Sequence, residues 1–132
     1  MKQPLQDISN LNDIRILVNS FYQKVRVNQL IGPVFNEVIR DQWPVHLEKM
    51  YRFWETLLLG NKTYFGAPFP PHAQLPADKE HFDTWLRLWQ ETVDEHFKGP
   101  VADEARWRAD KMAILFLSKI RYYRHTGKTP LI

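Results

Sequence analysis

The sequence predicts an all-α fold, and three observations carry that expectation. Apolar residues recur at three- and four-residue steps along four long stretches, the spacing that gathers them on one face of a helix. No window sustains the two-residue alternation of a half-buried strand. Helix caps and breakers fall between the stretches: Asn10 or Asn12, Gly32-Pro33, Pro44, Gly60, Asp78 and Gly99-Pro100.

The first helix opens at Asn10 or Asn12, both good N-caps. Its inner stripe is Leu11, Ile14, Leu17, Val18, Phe21, Tyr22 and Val25, and Gly32-Pro33 breaks the chain after it. Residues 34–39 allow a further turn or two. Pro44, tolerated in a first turn, introduces the second long helix. That helix carries His46, Met50, Phe53, Trp54, Leu57 and Leu58 on one face and stops at Gly60. Residues 60–76 hold Gly60, Gly66, Pro68, Pro70, Pro71 and Pro76, so no long helix passes through them. Asp78 caps a third long helix with Phe82, Trp85, Leu88, Trp89, Thr92 and Val93 inward. Gly99-Pro100 opens a fourth, which runs to about Tyr123 with Val101, Ala105, Met112, Leu115, Phe116 and Ile120 inward.

A chain of 132 residues has the length of one domain, typically ~100–150 residues. One domain over 1–132 is expected, with residues 1–9 and 125–132 as loose termini. With 44% apolar and 14% aromatic residues, there is enough burial to offset the ordering entropy, which argues against disorder. Zero cysteines exclude disulfide scaffolds, thiolate metal sites and cysteine nucleophiles. The first twenty residues lack the pattern of a secretory leader, and no run approaches the ~18–20 apolar residues of a membrane span. A cytoplasmic protein with no membrane insertion is expected. The net charge of +3 is interspersed along the chain rather than stacked on one segment, so nucleic-acid binding is not expected.

Chemistry has few places to sit. There is no HExxH, no glycine-rich phosphate loop and no serine nucleophile elbow. Asp and Glu fall mostly on polar helix faces, which gives hydrolytic acid–base catalysis little support. The long connector is the exception, because loops of its length in compact domains tend to be functional. It carries His72 just after Pro70-Pro71. The flanking prolines would present that imidazole at low entropic cost, as a metal ligand requires, although on this segment alone an exposed loop histidine is the ordinary reading. His46 lies on an otherwise apolar helix face, where a histidine is more often a core-edge residue. Tyr22, Trp85 and Trp89, taken singly, read as core aromatics. His81, His96 and His125 show no mutual spacing that suggests a site.

Taken together, the chain resembles the truncated haemoglobins of group III. Four stretches carry the resemblance: Phe21 to Val25, Gly32 to Phe35, Trp43 to Gly60, and Pro68 to Trp85. Their order and spacing are specific, and the proline-rich segment bearing His72 is the strongest part. The resemblance implies a truncated globin-like two-over-two helical sandwich around one haem b (iron protoporphyrin IX). It makes His72 the proximal iron ligand, with its second nitrogen donating to a carbonyl or carboxylate. Phe35 would pack on the porphyrin, Lys49 would lie near a propionate, and Met50, Phe53 and Trp54 would line the cofactor. Tyr22 and Trp85 would hydrogen-bond a bound diatomic ligand, and His46 would hold the distal histidine position.

The implied function is reversible binding of O2, NO and CO. One alternative is a haem enzyme, acting on peroxide as a peroxidase or removing NO, with an unidentified reductase returning its electrons. A lesser alternative is a cofactor-free helical module that binds protein or nucleic acid through the basic run Arg121-Tyr122-Tyr123-Arg124-His125.

Overall fold

The structure, a computed structural model, describes residues 4–67, 72 and 75–127. Five helices follow in order: α1 Leu11–Val27, α2 Gly32–Ile39, α3 Trp43–Leu59, α4 Lys79–His96 and α5 Pro100–Thr126. Among the described residues the only β-type pairing is an isolated bridge between Gln6 and Phe97. Pro68, Pro70 and Pro71, the prolines expected to stiffen the connector before His72, lie outside the described residues.

Local chemistry explains the boundaries. The Asn10 side chain accepts from the Asp13 N–H at 2.9 Å and so caps α1. Pro33, Pro44 and Pro100 each sit in the first turn of a helix, where a missing N–H costs nothing. Gly60 ends α3 in the left-handed region at φ 75°, a conformation glycine adopts without a Cβ clash. Asp78 caps α4 in a capping box whose other member is His81, since the Asp78 N–H donates to His81 Nδ1 at 3.0 Å. No side chain of its own caps α5. Asp7 does so from the far end of the sequence, accepting from the Val101 and Ala102 N–H groups at 2.9 and 2.8 Å.

That contact, with the Lys98 N–H donating to the Gln6 carbonyl at 3.0 Å, ties down residues 6–8, and Ile8 is buried. The expected loose segment 1–9 is therefore held over its second half, and α5 continues through His125 to Thr126.

Helices α1 and α3 pack together, α4 packs on α5, and α1 lies against α4, giving two pairs in two layers. One core runs through both layers, with Phe21, Val25, Trp54, Trp89, Val93 and Ala105 among its members. The expected stripes of α1 and α3 face this core, and so does that of α4 except Phe82, which packs on a smaller cluster of Phe116 and Ile120. The stripe of α5 differs from expectation. Ala102, Ala105, Ala109, Ala113, Phe116 and Ile120 are buried, whereas Leu115 is exposed. Alanine on the inner face lets α4 approach closely enough for the Trp89 indole N–H to donate to the Ala105 carbonyl at 3.1 Å.

Candidate functional site

A cavity of about 250 Å3 opens between the helix pairs. Tyr22, Phe35, His46, Lys49, Met50, Phe53, Trp54, His72 and Trp85 all line it, so every residue singled out from the sequence as a site residue comes to one place. Each arrives from a different local cause. Tyr22 is on the buried face of α1 beside Phe21. His46 is in the first turn of α3, where its N–H donates to the Gln42 carbonyl at 2.9 Å. Phe35 comes from α2, and Trp85 comes from α4 one turn before Trp89.

The α1–α3 wall is an aromatic cluster. The Tyr22 ring meets His46 edge-on at a centroid distance of 5.2 Å, and Trp43 meets both Tyr22 and His46 at 5.6 and 5.7 Å. The Arg26 guanidinium lies over Trp43 at 4.6 Å. At the α5 wall the His72 imidazole sits against Phe116, with centroids 4.9 Å apart. A stack of indoles, Trp54 on Trp89 at 4.3 Å and Trp89 on Trp85 at 6.3 Å, joins the cavity wall to the core.

Electrostatics separate the polar groups of the wall. Burial pushes the Tyr22 phenol up, so it remains a protonated hydrogen-bond donor across the physiological range. Burial, with smaller electrostatic contributions from His72 and Lys49, pushes His46 down to about 4, so it is neutral at pH 7. Its Nε2 is shut off from solvent without a hydrogen-bond partner among the described residues. A buried polar atom in a cavity wall costs free energy unless something in the cavity engages it.

Sequence reasoning missed part of the lining. Ile31, Val34, Tyr64, Leu75, Ala77, Phe82, Met112, Ala113 and Phe116 also face the cavity, as do Phe21 and His81. His81 carried a signal, because it stands one turn before Trp85 on the same face of α4. Tyr64 is set by a contact invisible in the sequence pattern. The Thr56 hydroxyl accepts from the Thr63 and Tyr64 N–H groups, both at 3.1 Å, and donates to the Asn61 carbonyl. In the basic run suggested as a docking segment, Arg121 and Arg124 bond within the fold, to Asp78 and to the Leu75 and Ala77 carbonyls.

The residues present fit a haem. The cavity offers an imidazole at one wall and a phenol, an indole and a second imidazole elsewhere, with flat aromatic surfaces between them and a lysine among them. The His46 Nε2, buried and without a hydrogen-bond partner among the described residues, leaves a polar atom that a bound group could engage. Helices stacked two over two around such a cavity define a haem globin of the truncated kind. The bacterial-like globin family matches residues 6–115. The chain belongs to that family, and within it to the group III truncated haemoglobins. It is 32% identical over 118 residues to Group 3 truncated hemoglobin ctb of Campylobacter jejuni, spanning 86% of this chain and 93% of that relative. It also matches the crystal structure of the group III truncated hemoglobin from Campylobacter jejuni with a TM-score of 0.80 at 30% identity, covering 95% of this chain and 100% of that one.

Proposed function

We propose that the chain, acting as one haem-binding domain, holds haem b in this cavity through His72 and binds O2, NO and CO reversibly. Tyr22, Trp85 and His46 would supply the polar groups on the gas side. The observation that carries this reading is the division of the cavity wall, with His72 against α5 and the Tyr22–His46 pair at the α1–α3 wall. Bound there, ferrous haem supplies an iron with affinity for diatomic gases.

The protein's part is binding and orientation. Phe35, Met50, Phe53 and Trp54, which line the cavity, would present apolar surface to the macrocycle, and Lys49 would offer a cation to a propionate. The Tyr22 hydroxyl, kept protonated by burial, donates to a ligand that carries partial negative charge, and the Trp85 indole N–H adds a second donor. Absorption spectra of the ferric, ferrous and CO-exposed protein test the reading. A haem protein whose His72→Ala variant loses normal axial ligation is expected. A colourless chain that takes up no added haem overturns the cofactor, and an unchanged His72→Ala spectrum overturns the choice of ligand.

A second reading, peroxidase or NO-removing activity, is favoured by one observation. The buried His46 Nε2 has no partner among the described residues, and a neutral imidazole placed so can take up and return a proton. Ferric protein mixed with peroxide and a reducing dye decides the peroxidase version, with turnover no faster than free haem counting against it.

A further inference from the structure

We infer that Arg121 and Arg124, on the last turns of α5, position His72 by clamping the downstream end of the connector that carries it. The inference rests on the reading of His72 as the iron ligand. Three successive turns of α5 meet the connector. Phe116 lies against the His72 ring at 4.9 Å. Arg121 grips Asp78 Oδ1 through Nη2 at 2.8 Å and Nε at 3.2 Å. Arg124 Nη2 donates to the Leu75 carbonyl at 2.9 Å and also to the Ala77 carbonyl. The Leu75 N–H donates to the His72 carbonyl at 3.1 Å, so a continuous run of bonds leads from Arg124 through Leu75 to the residue bearing the imidazole.

The two arginines add side-chain bonds to the non-helical backbone just after His72. Residues 75–78 belong to no helix, and Pro76 has no N–H with which to join a local turn. Asp78 is already occupied in capping α4, where it accepts from the Lys79 N–H at 2.9 Å. What Arg121 adds is a tie between that cap and α5, and what Arg124 adds is a direct hold on two carbonyls. The Arg121–Asp78 pair is more than half exposed on both sides, and exposed pairs of this kind contribute little to global stability. Removing them should therefore leave the helices standing and loosen the span that sets the direction of His72. Groups that orient a metal-ligating histidine typically change metal affinity about 10- to 100-fold when lost.

The test uses the full chain loaded with haem and compares Arg121→Gln/Arg124→Met with the unaltered protein. The readouts are the ferrous iron–imidazole stretching band in resonance Raman spectra and the rate of haem loss to an excess acceptor. Expected are a lowered or broadened band and haem loss about tenfold or more faster, with helix content unchanged by circular dichroism. Arg124→Lys, which keeps the charge and its donors but loses the rigid planar guanidinium, should fall between the two and keeps the test available if the double variant folds poorly. The same substitutions are then made in His72→Gly protein supplied with free imidazole, whose axial ligand is untethered from the connector. There the band and the loss rate should not respond to the clamp. Equal effects in both backgrounds, or no effect in the His72 background, overturn the clamp. A band that survives His72→Gly without added imidazole instead removes the ligand assignment itself.

Discussion

Tyr22 and His46 share an edge-to-face contact at 5.2 Å, and Trp43 closes the imidazole in from another side at 5.7 Å. Aromatic contacts of this geometry restrict ring rotation, so the phenol and the imidazole are held in place before any ligand arrives. The two groups differ in what they offer. The phenol, pushed up by burial, offers a proton at any physiological pH. The imidazole, pushed down to about 4, carries no charge at pH 7 and contributes no general attraction for anions. On the proposed reading, discrimination among gases would rest on hydrogen bonds from the Tyr22 hydroxyl and the Trp85 N–H rather than on charge at His46. O2 on a ferrous haem draws electron density to itself and CO does so much less, and hydrogen bonds to charged partners contribute roughly 1.5–3 kcal/mol. Tyr22→Phe is expected to speed O2 dissociation by about 10- to 150-fold and CO dissociation far less, measured by stopped-flow ligand replacement. Equal acceleration of both gases would assign the ring a steric role instead.

Elements α1, α3 and α4 were legible because each carries large apolar residues at helical spacing between clear caps. Helix α5 was legible in extent and only partly in its facing. Its large residues Ile114 and Leu115 are exposed, and its inner ridge is built from alanines, which a search for bulky residues passes over. Small residues suit a helix that must lie close to Trp89 and Gln90, whose side chains donate to the Ala105 and Arg106 carbonyls. The cap of α5 was illegible for another reason: it comes from Asp7, more than ninety residues away in sequence. Gly99 is held at φ 144°, and a Cβ there would meet Asp7 Cγ at 2.5 Å, so the junction is built around that carboxylate. Burial alone would raise the Asp7 pKa, but N–H bonds from Val101, Ala102 and Ile8 outweigh it and hold the carboxyl below its usual range. A depressed carboxylate stabilises the fold above its ordinary pKa, and that contribution fades as pH falls through the lowered value. Asp7→Ala is thus expected to lose about 1–2 kcal/mol at pH 7, read from urea midpoints. The gap to the unaltered protein should narrow in strong acid. A gap that does not change with pH would mean the loss comes from packing rather than from the charge.

At the scale of the molecule, cavity and core are continuous: Phe21, Tyr22, Phe53 and Trp54 belong to both. This continuity explains which half of the site could be read from sequence. His46, Lys49 and Tyr22 were placed through the resemblance to group III truncated haemoglobins, since taken singly His46 reads as a core-edge histidine and Tyr22 as a core aromatic. Met112, Ala113 and Phe116 look like any other core positions, because only the fold decides that they face a cavity. It also ties the cofactor to stability. A ligand that binds the folded chain and not the unfolded one adds RT ln(1 + [L]/Kd), about 4 kcal/mol at a thousandfold excess over Kd. For a chain of this length that corresponds to a rise in Tm of roughly 10–15 °C. Iron-free protoporphyrin IX separates the two sources of that gain, since it meets the aromatic walls and makes no bond to an imidazole. In scanning calorimetry the unaltered chain should gain most from haem and less from the iron-free porphyrin. His72→Ala should gain a similar, smaller amount from either, because the walls remain and the axial bond does not. Were haem and the iron-free porphyrin to stabilise the unaltered chain equally, the imidazole would contribute nothing to holding the cofactor, and the connector's place in the site would have to be reassigned to shape alone.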